Sequence, residues 1–239
     1  MESELACALS AFGALSTRSV PHILENISFS LDYKSFKTCM KVNKAWRDLL
    51  SSASYQKRLA ELLIEKETNE KKLYDASQKG NAEAVRRLIN NHMVDVNMVA
   101  RQYSSWHQST PLMEAARNGH KEVVNILLQA GALVDKANNQ GMSSLHLAAY
   151  HDHNSIVKFL LDAGSKIDKA SITGLTPLML AAASDRKEVF KLLPDGRAGV
   201  DKAGNNGITP LIVAARSGQL DIVQILLNAG SDIDKADTK

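Results

Sequence analysis

Seven histidines and two cysteines are the side chains of this sequence best suited to metal or nucleophilic chemistry. His146, His151 and His153 lie close together and invite a metal-site reading. A structural zinc site needs four Cys or His ligands at short spacings, and Cys7 and Cys39 stand far from these histidines. No His-Glu-x-x-His stretch occurs, nor a Gly-rich phosphate cradle with its Lys-Ser/Thr, nor a G-x-G-x-x-G or G-x-S-x-G turn. Paired carboxylates such as Asp232 and Asp234 recur at a fixed period and belong to turns. His146 and His153 likewise occupy fixed places in a repeating unit. The sequence therefore offers no catalytic residue, no metal site and no cofactor site, and an enzyme is not expected.

The elements that position these residues are set by a chain of 239 residues, 44% hydrophobic and 23% charged, ordinary for a folded protein. The net charge is +3: residues 1–72 carry 11 Lys+Arg and 9 Asp+Glu, which leaves 18 and 17 of the totals of 29 and 26 for the rest. Neither part has the basic stripe of a nucleic-acid binder. Leu5 to Leu15 resembles the apolar core of a signal peptide, but Glu2 and Glu4 stand where positive charge is wanted. No stretch approaches the ~18 apolar residues of a membrane span. Two reduced thiols fit a cytoplasmic or nuclear protein.

The period is 33 residues. Thr110, Ser143, Thr176 and Thr209 open the strings "TPLMEAARNGH", "SSLHLAAYHDH", "TPLMLAAASDR" and "TPLIVAARSGQ" at that spacing. Val134, Ile167, Val200 and Ile233 open four "[VI]DKA" strings in the same phase. In each unit the Thr or Ser is placed to cap a helix, with Pro111, Pro177 or Pro210 in its first turn, where a missing N–H costs nothing. The Ala pairs 115–116, 148–149, 181–182 and 214–215 keep that helix slim. A Gly or polar break follows, then a second helix with Val123, Val124, Ile126, Leu127 and Leu128 on one face. Gly131, Gly164 and Gly230 fall just past its end, where a left-handed residue is needed.

A 33-residue turn-helix-helix unit carrying "SLHLAA" and "TPLMLAA" resembles the ankyrin repeat. A degenerate copy precedes it: Leu73, Gly80 and Leu88 match Leu112, Gly119 and Leu127 at an offset of 39, so six residues are inserted near 100–105. Pro194 replaces the leucine found at positions 128, 161 and 227; lacking an N–H, it is expected to end its helix at Leu193. The chain stops at Lys239 as another unit would begin, which suggests either a sequence cut short or an array that caps itself.

Residues 18–55 lack the repeat and read as three short helices: Ile23, Leu24 and Ile27 on one face of the first, Phe36, Cys39 and Met40 inward on the second, and Trp46, Leu49 and Leu50 on the third. Pro21, Ile23, Leu24, Ile27, Leu31, Phe36, Val42 and Trp46 make this segment resemble the F-box, with Val20-Pro21 for the usual Leu-Pro and Val42-Asn43-Lys44 for the usual Val-Cys-Lys. Three helices in so short a segment cannot bury these groups among themselves. The F-box resemblance implies that a Skp-type adaptor of a cullin-based ubiquitin ligase covers them; the alternative is a cap on the first repeat. The adaptor role is the one open to this chain, because ubiquitin transfer itself needs a reactive Cys or a zinc platform.

The expected fold is all-α: a lead-in (1–17), a three-helix F-box-like module (18–55), a linker helix (56–72) and a solenoid of about five ankyrin repeats with hairpin loops (73–105, 106–138, 139–171, 172–204 and 205–239). In ankyrin-like arrays the variable positions are the hairpin tips and the exposed side of the first helix. By phase these include Trp106, Ser109, Arg117, Met142, Tyr150, His151, Leu175, Ile208 and Arg216. Trp106, Arg117, Tyr150 and Arg216 are the expected client anchors, because Trp, Tyr and Arg dominate interface energetics; for Trp106 and Tyr150 the alternative is packing against a neighbouring repeat. The favoured function is a protein-binding adaptor, F-box toward the Skp-type adaptor and cullin scaffold, repeats toward a client protein, with no nucleic-acid or membrane partner. The other reading is a plain ankyrin scaffold.

Overall fold

The computed structural model describes residues 53–90, 94–99, 108–195 and 199–235. The F-box-like residues from Pro21 to Trp46, the insertion at 100–105 and Trp106 lie outside them. The chain forms two compact units, Met1–Ile64 and Glu65–Lys239. In the first, only the opening of a helix is described. That helix, α1 (Ala53–Lys79), runs unbroken through the expected linker, and in the second unit it buries Asn69, Leu73, Ala76 and Ser77 along one face.

The second unit continues as helix pairs: α2 (Ala82–Asn90), then α3 (Pro111–Arg117) with α4 (Lys121–Gln129), α5 (Ser144–Tyr150) with α6 (Asn154–Asp162), α7 (Pro177–Ala183) with α8 (Lys187–Asp195), and α9 (Pro210–Arg216) with α10 (Leu220–Asn228). No strand occurs among the described residues. The short first helices α3, α5, α7 and α9 stack on one another in order, and α4, α6, α8 and α10 stack behind them. Leu112, Leu145, Leu178, Leu127, Leu160 and Leu193 form the core between the two rows, all at most 1% exposed. The alanine pairs of the first three units are fully buried, which lets the first helices approach closely; in the last pair Ala214 is buried and Ala215 exposed.

The local chemistry follows the residues. Thr110, Thr176 and Thr209 each accept the N–H three residues on at 3.3 Å, and proline fills the first helical position. Gly131, Gly164 and Gly230 take φ of +86°, +86° and +83°, and each closes a paired turn with the carbonyls of its helix end. The break between the helices of a unit is also left-handed: Gly119, Asp152, Asp185 and Gly218 have φ of +81°, +65°, +54° and +70°.

Pro194 behaves differently from expectation. α8 does not end at Leu193 but runs through Pro194 to Asp195. A proline so near the helix end forfeits one backbone bond and leaves the earlier turns intact. The leucines at the same register in the other units are not core residues: Leu128 and Leu161 are half-buried and Leu227 is 36% exposed. The leucine that fills the core of this unit is Leu193, fully buried.

The repeats are tied by side chains that the sequence marks only as periodic. The Asp of the first three "DKA" strings reaches into the next unit: Asp135 accepts the Ser165 hydroxyl and the Lys166 N–H at 3.0 Å each, Asp168 the Gly199 N–H at 3.1 Å, and Asp201 the Asp232 N–H at 3.1 Å. The following lysine points back, Lys169 to the Asp135 carbonyl and Lys235 to that of Asp201. Between the stacks, His120 Nε2 meets the Gln78 carbonyl at 3.0 Å, His153 Nε2 the Arg117 carbonyl at 2.9 Å, and Arg186 Nε donates to the Tyr150 carbonyl at 3.0 Å.

Candidate functional site

The groove begins at the turn tips. In the tip at 138–142, the Asn138 carboxamide oxygen accepts the N–H groups of Gln140 and Met142 at 2.9 and 3.0 Å, which presents Met142 beside the first helices. Tips are stitched in series: Ile172 N–H donates to the Gln140 carbonyl, and the Asn205 amide to that of Ile172. Between tips and first helices lies a groove of about 300 Å³ lined by Ser109, Arg117, Asn138, Met142, Leu147, Tyr150, His151 and Leu180. Arg117 ends α3, Leu147 and Tyr150 lie one turn apart on α5, and Leu180 comes from α7.

Four of the expected client-facing residues, Arg117, Met142, Tyr150 and His151, are thus brought together, two of them by the end of one short helix and its cap. Arg117 and Tyr150 are exposed. Leu175 and Ile208 are half-buried and Arg216 exposed, but none lines this groove. Ser109, expected to be exposed, is 2% exposed, because it precedes the Thr110 cap at the closed end of the first helix. Asn138, Leu147 and Leu180 were not singled out by sequence. Leu147 and Leu180 share a register with Glu114 and Val213, and periodicity assigns that register to a helix interior without showing that it borders the groove.

The histidines divide by environment. His146 is fully buried; its Nδ1 accepts the Ser143 N–H at 3.1 Å, which makes Nε2 the protonated nitrogen, 3.2 Å from the Leu175 carbonyl. Burial pushes its pKa down to about 4, against the raising effect of the Leu175 carbonyl. His151, in the groove, is lowered by burial first and then by the charges of Arg117, His153 and Arg186. Its ring meets Tyr150 edge-on at 5.0 Å and stacks on His153 at 6.3 Å. The described residues hold no grouping of three or more His, Cys, Asp or Glu placed to bind a metal ion, and no helix among them is long and apolar enough to cross a membrane.

Comparison with known proteins agrees with this geometry. The family model for ankyrin repeats, in three copies, matches residues 49–138, 73–171 and 145–237. Over 76 residues the chain is 34% identical to alpha-latrocrustotoxin-Lt1a of Latrodectus tredecimguttatus, covering 32% of this chain and 5% of the toxin. Over 102 residues it is 32% identical to BTB/POZ domain-containing protein 3 of Schizosaccharomyces pombe, covering 41% of this chain and 18% of that protein. Each match spans a small part of the relative.

Proposed function

Because the chain belongs to the ankyrin-repeat family, whose repeats form protein-binding scaffolds, we propose that it is an adaptor that holds a client protein in the groove lined from Ser109 to Leu180 and delivers it to a ubiquitin ligase. The observation that carries the client half is the meeting of Arg117, Met142, Tyr150 and His151 from successive repeats in one groove. An exposed Tyr and Arg side by side are the side chains that most often anchor an interface. The ligase half rests on the F-box-like residues Pro21, Ile23, Leu24, Ile27, Leu31, Phe36, Val42 and Trp46, through which a Skp-type adaptor and its cullin scaffold would be engaged. The chain acts without chemistry of its own, in the cytoplasm or nucleus.

Two substitutions separate the halves. Arg117→Ala with Tyr150→Ala removes client capture, as followed by crosslinking and mass spectrometry, at a cost of about 2 kcal/mol or more per anchor. Adaptor binding and melting temperature stay unchanged, because the backbone carbonyls of both residues keep their links to His153 and Arg186. Pro21 and Ile23 changed to polar residues abolish co-purification with a Skp-type adaptor while the repeats keep their helical circular dichroism. Retained clients sink the groove; retained adaptor, or repeats that unfold, leaves the plain scaffold with an N-terminal cap.

A further inference from the structure

The groove's chemistry narrows its occupant, a step that rests on the groove being the binding face. Leu147 and Leu180 stand one repeat apart at the same register of α5 and α7, 9% and 8% exposed, and Met142 borders them. Together they form the apolar floor of the groove. Beside it Arg117 is exposed and makes no ion pair with a described carboxylate. No Asp or Glu lines the groove. The one acidic residue of α3, α5 and α7 is Glu114, withdrawn to 2% exposure. The charge of Arg186 reaches this face too: with that of Arg117 it opposes protonation of His151, whose pKa burial lowers first and only Glu114 raises.

The frame is fixed before anything binds. The Arg117 carbonyl is held by His153 and the Tyr150 carbonyl by Arg186, so the backbone that carries both side chains is tied to the following repeat. A volume of about 300 Å³ is at the small end for a whole ligand but suits one or two side chains. An unpaired guanidinium selects a carboxylate, which it binds through two parallel hydrogen bonds, and it repels a basic segment.

We propose that the groove takes a short acidic segment of a partner protein, laying one large apolar side chain over Leu147 and Leu180 and one Asp or Glu carboxylate on Arg117.

The test selects a random heptapeptide display library on the full chain. The peptides obtained are then measured by fluorescence anisotropy against the wild type, Arg117→Glu and Tyr150→Ala. Selected peptides are expected to carry Asp or Glu within a few residues of Leu, Ile, Met or Phe. Arg117→Glu weakens them at least about tenfold, and replacing the peptide's acid by Lys restores binding to that variant. Arg117→Gln, which keeps length without charge, carries the same test if the reversal lowers the melting temperature. Peptides that lack an acid, or that ignore Arg117 while depending on Tyr150, overturn this proposal and leave the groove as the binding face. Peptides indifferent to both residues, or no selection at all, overturn the groove reading together with it.

Discussion

The first half of the repeat array, through residue 171, and the second half, from 172 to 235, share a skeleton but differ at their junctions. Both use the Thr cap, the slim alanine helix and the Asp-Lys tie to the next unit. In the first half the junctions are closed by imidazoles against glycine: a Cβ on Gly80 would strike the His120 ring, and one on Gly119 would lie 2.7 Å from His153 Cε1. At the boundary of the two halves and beyond it, Asp152 and Asp185 take the glycine's place, and the residues at the histidine register are the flexible Arg186 and Gln219. A rigid ring needs the space that only glycine leaves; a flexible chain can step around an aspartate. The polar and aromatic groove residues also cluster before residue 171, whereas Ala183 and Ser184 stand at the places of Tyr150 and His151 in the next unit. The skeleton is therefore copied from unit to unit, while rigidity and recognition are concentrated in one half.

The largest expected effect is on the buried imidazole of the first half. His146 titrates near 4 when folded and near 6.5 when free. Between those values the unfolded chain takes up a proton that the folded chain refuses. Stability present above pH 6.5 is thus lost as pH falls toward 4, by roughly 3 kcal/mol, and changes no further below it. Met113 and Met179 occupy the same register in the adjacent units. His146→Met should remove that part of the acid sensitivity, read as a smaller difference in urea midpoint between pH 7.5 and 4.5. Equal differences in the two proteins would mean that His146 is not the group responsible.

Next in size is the glycine that seats His153. Gly119→Ala combines a left-handed backbone with a Cβ against the ring, and should cost roughly 2 kcal/mol in chemical denaturation. The converse change, Asp152→Gly, relieves a left-handed aspartate whose Oδ1 is buried without a partner. It should raise stability by about 1 kcal/mol, less the entropy that glycine brings to the unfolded chain. If Gly119→Ala is tolerated as well as a surface change, the two kinds of junction are not physically distinct.

The smallest effect belongs to Pro194. The helix already passes through it, and its counterparts are half-buried or more exposed. Pro194→Leu should raise stability slightly, by roughly 0.5 kcal/mol, far below the cost of a mid-helix proline, and be read as a small rise in thermal midpoint. A gain of several kcal/mol would show a weak joint in the second half.

The sequence alone determined the repeat, its caps, its left-handed glycines and its core leucines, because each follows from spacing and from backbone preferences that act within one unit. It also named Arg117, Met142, Tyr150 and His151 as surface candidates, from phase. Only the tertiary structure decided which candidates meet, since a groove is made by neighbours 33 residues apart and its floor, Leu147 and Leu180, looks like any core leucine in one dimension. It alone decided that the "DKA" aspartates tie units together rather than only turning the chain. It likewise decided that the helix runs on through Pro194, and that His146 is held neutral. Burial and hydrogen bonding between repeats depend on what the next unit places opposite a residue, and no periodicity within a unit carries that information.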